Sequence, residues 1–193
     1  MQKYFDQITP QVSETWRADE LYVKIRGQMK YVFAMMDDET RFCIAQEVAD
    51  RKEGHDASRF FRESAKAGGK VPSILITDGL NSYGSAFHDV YEFTTGKHPV
   101  HVREITLEGP IHNNKMERMN GEVRDREKVM RGLKRTDTPI VKGLQIYHNF
   151  IRPHEWLNGV TPAERAGIVV EGENKWMTII QNASHPHSEE NEE

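Results

Sequence analysis

The sequence predicts an α/β domain with a mixed five-stranded sheet, three antiparallel strands followed by parallel strands, flanked by helices. Three observations carry this. Residues 16–48 hold three apolar strand patterns joined by the tight turns Arg26-Gly27-Gln28 and Asp38-Glu39-Thr40. A short apolar run without alternation, 73–77, follows a helical pattern. Beyond about residue 113, helical spacing dominates.

The first strand covers 16–25, where alternation places Asp19, Leu21, Val23 and Ile25 on one face and Glu20, Tyr22 and Lys24 on the other. Strands at 29–37 and 41–48 complete an antiparallel meander, because links this short permit nothing else. A helix follows at about 55–67, with Phe60, Phe61 and Ala65 as its buried stripe and Gly68-Gly69 as its stop. The run 73–77 has the character of a strand covered on both faces, as in parallel sheets. A short helix near 81–88 and a weak strand near 100–105 come next. A long helix runs from about Asn113 to Met130. Thr138-Pro139 supplies a cap and first turn for another, with Ile140, Leu144, Tyr147 and Ile151 on one face and Pro153 as its end. Thr161-Pro162-Ala163-Glu164 opens a last short helix by the same logic. This order of elements is that of the ribonuclease-H-like fold.

At 193 residues the chain has room for one domain with a proper core. No apolar run approaches a membrane span, and the N-terminus lacks a signal-peptide profile, so a cytoplasmic protein is expected. The single cysteine, Cys43, excludes an internal disulfide and a multi-cysteine zinc site. The net charge of −4 is unevenly spread. Residues 171–193 carry six acids and one base, and the rest of the chain is +1. Residues 115–135 carry eight bases and four acids, a basic helix able to meet a polyanion. Residues 185–193 have the composition of a disordered tail.

Three acids suit metal binding. Asp19 shares a face with apolar neighbours, and a buried carboxylate needs a partner or a metal; a structural ion pair satisfies the same need. Glu20, on the opposite face, is set aside. Asp78 follows the 73–77 run, and ligands of open α/β sheets sit beyond the carboxyl ends of strands; a turn or cap aspartate is the plainer alternative. Glu117 shares a helix face with Asn113, Asn120 and Arg124, at spacings of 4, 3 and 4; a solvated face is the alternative there. Met116, Met119, Val123 and Met130 form an adjoining apolar stripe. Asp37 and Asp38 are expected to shape a hairpin turn.

Four stretches, read together, tie these acids to one family: WRADELYVKIRGQMKYVF, ILITDGLNSY, NNKMERMNGEVRDR and YHNFIRPHEWLNGVTPAERAGI. In this order they resemble the catalytic cores of DDE-type insertion-sequence transposases and retroviral-type integrases, over about Trp16 to Ile168. The resemblance implies a catalytic core at 16–168, an N-terminal extension at 1–15 and a C-terminal extension at 169–193. It makes Asp19, Asp78 and Glu117 the catalytic, metal-binding triad, with 38 residues between the last two. It implies two Mg²⁺ or Mn²⁺ ions, about 3.5–4 Å apart, that clamp a scissile phosphate, activate the nucleophile and stabilise the leaving 3′-oxygen. Asn113, Lys115, Asn120, Arg124, Lys128, Arg131, Arg152 and His154 become candidate DNA contacts, and a homodimer or higher oligomer is expected on transposon-end and target DNA.

The implied activity is metal-dependent DNA strand cleavage and strand transfer. A related nuclease that cuts without transfer, and a non-catalytic DNA-binding remnant of a truncated transposase, are the alternatives. Transposases of this type usually carry an N-terminal helix-turn-helix or zinc-binding segment that reads the element's ends. Only about 15 residues precede the first strand here, so a core without that reader is the expectation.

Overall fold

The computed structural model describes residues 5, 8–93, 98–103, 114–131, 133–135 and 138–184. Five strands form one sheet: β1 Thr15–Ile25, β2 Gln28–Asp37, β3 Cys43–Ala49, β4 Ile74–Thr77 and β5 Val100–Arg103. Their order is β3-β2-β1-β4-β5. β1 pairs antiparallel with β2, as β2 does with β3, whereas β1–β4 and β4–β5 are parallel. This is the predicted mixed sheet. Residues 104 and 105 of the predicted fifth strand, Asn113 at the predicted start of the long helix, and the tail 185–193 lie outside the described residues.

The helices are α1 Gly54–Gly68, α2 Asn81–Phe87, α3 Asn114–Met130, α4 Pro139–Ile146, α5 Pro162–Arg165 and α6 Lys175–Ser184. None is long and apolar enough to cross a membrane. α1 ends where predicted: Gly69 adopts φ 68°, a left-handed cap that a side chain would strain. Gly68 answers a different need, since a Cβ there would come within 2.5 Å of the Trp16 ring.

β1 alternates between two cores. Trp16 and Ala18 face Phe60 and Phe61 of α1 and Tyr83 and Phe87 of α2. Leu21, Val23 and Ile25 face Val123 of α3 and Val141 of α4 on the other side. Met116 and Met119 of α3 close against Ala34, Met36 and Cys43. The sheet is therefore covered on both faces, and β1 lies at its centre. Buried in that packing, the Cys43 thiol is pushed up to about 12, an inert core group.

The predicted face of α4 packs against the core through Ile140, Leu144 and Ile151, although it is not the deepest part of the helix. α4 continues into a π-helical turn, Tyr147–Ile151. The wider turn inserts one residue into the periodicity. Ile140, Leu144, Tyr147 and Ile151 are half-buried, while the deepest positions are Val141, His148, Asn149 and Phe150. Asn149 there caps the edge of β3: its side chain accepts from the Cys43 N–H at 2.8 Å and donates to the Cys43 carbonyl at 2.9 Å. Past α5, α6 packs back onto the domain through Ile179, which is fully buried in the main core.

Candidate active site

The sheet contains a notch. β4 stops at Thr77, paired with Ala18, while β1 runs on to Ile25. Beyond Ala18 that edge of β1 has no β4 residue beside it. Asp78 is the first residue past the end of β4. At this point carboxylates from both faces of β1 can reach it, and Asp19, Glu20 and Asp78 each offer an oxygen within 4.8 Å of the others.

Each acid is held by its surroundings. Asp19 accepts the Glu20 N–H at 2.9 Å on one oxygen and the Asn120 side-chain amide at 2.7 Å on the other. Glu20 lies among α1- and α2-side groups: Lys52 Nζ is 3.3 Å from Oε1, and the Tyr83 hydroxyl faces the same carboxylate. Lys52 is fixed in turn by the Tyr22 hydroxyl at 2.7 Å and by the faces of the Tyr22 and Tyr31 rings. Asp78 accepts the Leu80 N–H at 3.2 Å. Its loop is tied down by Arg103 of β5, which donates to the Gly79 carbonyl at 2.9 Å and to Asn81 Oδ1 at 3.1 Å. Gly79 has φ 92°, so the turn that projects Asp78 suits glycine.

Strand parity set Glu20 aside; its side chain does leave from the opposite face of β1, and the structure nonetheless brings its carboxylate beside those of Asp19 and Asp78. Parity describes which face a side chain leaves from. It does not describe the end of a neighbouring strand, where long side chains from both faces can converge.

Glu117 stands differently. It is exposed on the first turns of α3 and lies outside the group of three. It is near enough to Asp19 to raise that residue's pKa. The Asp19 carboxyl is raised to about 7, first by burial and then by the charges of Asp78, Glu20 and, last, Glu117. Glu20 is raised as well, by burial and then by Asp78.

The candidate DNA contacts divide into two groups. Arg124, Lys128 and Arg131 are exposed along the outer part of α3 and just past its end. The others are engaged within the protein. Asn120 is 4% exposed and holds Asp19, which makes it an orienting residue in this structure. Lys115 bridges to Asp38 Oδ1 at 2.6 Å, and Arg17 Nε reaches the same oxygen at 2.5 Å. Arg152 pairs with Glu122 of α3. His154 packs edge-on against His148, with ring centroids 4.7 Å apart, and burial together with His148 holds its pKa down at about 4. Asn113 lies outside the described residues.

Asp37 and Asp38 shape the β2–β3 turn as expected and do more besides. Asp37 is fully buried and accepts from Ser13 and Thr40 hydroxyls at 2.6 Å each. Asp38 joins β1 to α3 through Arg17 and Lys115. The sequence signal for this was available: Arg17 sits two residues before Asp19 on the same strand face, where an unpaired arginine would be costly.

The donor set at the notch fits a hard divalent cation. Its three members offer carboxylate oxygens alone, without a histidine or cysteine among them. The like-charge crowding that adds to burial in lifting Asp19 is the kind of strain a cation relieves.

The sequence model of the DDE domain family (DDE_Tnp_IS240) matches residues 13–154, which take in the whole notch and α3. No curated protein is significantly similar to the chain. Among solved structures, the integrase catalytic core domain of HTLV-2, in complex with magnesium and in dimeric form, is similar at a TM-score of 0.57 and 14% identity, over 80% of this chain and 94% of that one. The BIV integrase catalytic core is similar at 0.61 and 14%, over 80% and 93%. A chain of the simian T-cell lymphotropic virus intasome in complex with a PP2A regulatory subunit gives 0.58 and 13%, over 76% of this chain and 52% of that one. At these identities the likeness is one of fold.

Proposed function

Because the chain belongs to the DDE domain family, we propose that it is the catalytic core of a transposase that cleaves and joins DNA strands with divalent metal ions. The observation that carries this reading is the meeting of Asp19 and Asp78 at the end of β4, beside a helix bearing Glu117. Asp19, Asp78 and Glu117 would hold two Mg²⁺ or Mn²⁺ ions. Bound there, the ions supply Lewis-acid activation of the attacking oxygen and charge stabilisation at the leaving oxygen.

The chain's own residues have separate tasks. Asn120 fixes the direction of one Asp19 oxygen by donating to the other. Arg103 and Gly79 fix the loop from which Asp78 projects. Arg124, seven residues after Glu117 on the same helix face, is placed to meet the DNA backbone, and Lys128 and Arg131 extend that basic edge. In the reaction, the oxygen of water or of a DNA 3′-hydroxyl forms a bond to phosphorus as the bond to the leaving 3′-oxygen breaks. The joining step exchanges one phosphodiester for another and needs no external energy source. DNA and a second copy of the chain are the partners this reading requires, and the dimeric core and the intasome among its structural neighbours support that.

The test is strand joining with a pre-cleaved element end bearing a 3′-hydroxyl. Asp78→Asn should abolish Mg²⁺-dependent joining and leave the circular-dichroism spectrum unchanged. Joining that persists in this variant would refute the proposal. Cutting without joined products by the unaltered chain would point to a nuclease instead.

A further inference from the structure

Glu20 is buried with half of its carboxylate unsatisfied. Its side chain is 5% exposed, and Lys52 Nζ lies 3.3 Å from Oε1. Oε2 is buried without a well-formed hydrogen bond among the described residues. The Tyr83 hydroxyl, fully buried, faces the same carboxylate and is also without a well-formed bond. Buried polar atoms are nearly always paired, so two unpaired ones side by side point to a ligand.

Neither atom owes its state to loose packing. The Tyr83 ring stacks on Phe61 with centroids 5.6 Å apart and meets Phe33 edge-on at 6.0 Å, which fixes where its hydroxyl stands. Glu20 leaves β1 on the side of α1 and α2. Its carboxylate comes round the edge of β1 where β4 has ended at Thr77, and reaches the oxygens of Asp19 and Asp78. Glutamate has the length for this path, and aspartate is one methylene shorter. Three carboxylates within 4.8 Å of one another repel. Lys52 offsets one charge at most, and it is shared with the Tyr22 hydroxyl at 2.7 Å. An ion pair that served folding alone would satisfy Glu20 with Lys52 and keep it apart from two further acids.

We propose that Glu20 is a fourth carboxylate of the metal site, forming with Asp19 and Asp78 a seat for one divalent ion, and that Tyr83 positions its free oxygen. The inference rests on the metal-dependent reading above and adds a ligand from outside the triad. Lys52 becomes the counter-charge that holds Glu20 in the metal-free chain and competes with the ion for it.

The test is calorimetric titration of Mn²⁺ into the full chain without DNA, so that affinity is read without turnover. Glu20→Gln should weaken binding about tenfold, because affinity for a hard cation follows the charge of its oxygen ligands. Glu20→Asp keeps the charge but not the reach, and should weaken binding about as much. Lys52→Met should tighten binding about threefold, and that gain should vanish when Glu20→Gln is also present. Circular dichroism in EDTA should be the same for all of these variants. Unchanged Mn²⁺ affinity in Glu20→Gln would overturn the assignment and leave the metal-dependent reading in place. Full affinity in Glu20→Asp would do the same, by showing that charge rather than contact matters. Should Glu20→Gln alter the fold, Lys52→Met decides, since no gain there would also overturn the assignment. Failure of the unaltered chain to bind Mn²⁺ would overturn both.

Discussion

Asn120 donates its side-chain amide to Asp19 at 2.7 Å, and this one bond joins the third-acid helix to the central strand inside the acid cluster. The donor is buried, so loss of the amide leaves a carboxylate oxygen short of a partner. Asn120→Ala should lower stability by about 1–2 kcal/mol in chemical denaturation. It should also weaken Mn²⁺ binding, measured by calorimetry, by about tenfold, because an unheld carboxylate must be ordered when metal binds. Asn120→Ala with unchanged Mn²⁺ affinity would show that the bond serves folding alone.

The elevated Asp19 carboxyl makes a distinct contribution to the pH dependence of the metal-free protein. Its pKa is about 7 in the folded chain, against an ordinary value of 3.8. Between about pH 4 and pH 7 the folded state therefore keeps a proton that the unfolded chain has released. The Asp19 contribution to stability is largest at the acid end of this window and falls as pH rises through it, by on the order of 2 kcal/mol, while His154, held down at about 4, changes stability in the opposite sense. Glu20 is shifted in the same direction as Asp19 and steepens the fall. In EDTA, Asp19→Asn should raise the melting temperature at pH 8 more than at pH 5, and millimolar Mg²⁺ at pH 8 should stabilise the unaltered chain but not this variant.

Arg152 and Arg124 should separate cleanly in DNA binding. Arg152 is paired with Glu122, whereas Arg124 is exposed on the face that carries Glu117. Arg124→Ala should reduce the slope of log affinity against log salt by about 1. Arg152→Ala should leave the slope unchanged and cost about 1 kcal/mol of stability, since the pair is only partly withdrawn from solvent. Equal slopes for the two variants would place Arg152 on the DNA.

Gly68→Ala tests the packing of β1 from its far side. The added methyl group would meet the Trp16 ring at 2.5 Å, and both belong to a dense core. The expected loss is about 1–3 kcal/mol in urea denaturation, with the secondary structure retained.

The pattern of the chain determined most of the frame. Alternation in residues 16–25, two tight turns and one unalternating run are local signals, and each maps onto a strand because burial on one or two faces writes itself into residue order. The stripe of Met116, Met119 and Val123 likewise orients α3, whereas Met130, read as its fourth member, is exposed at the end of the helix. The helix after Thr138 was legible in its cap, its first turn and its core-facing Ile140, Leu144 and Ile151, but the π turn at Tyr147–Ile151, where His148, Asn149 and Phe150 are buried, leaves no mark in the residue order.

The acids divide in the same way. Asp19 and Asp78 were readable from strand parity and strand ends, and Glu117 from helical spacing. That Glu20 joins the first two depends on how far β4 extends beside β1, a relationship between residues about 60 positions apart. Asn120 and Asp19, 101 positions apart, show no sign of their hydrogen bond in the sequence. Only the folded chain joins them, because side chains with no shared period are brought together by three-dimensional packing alone.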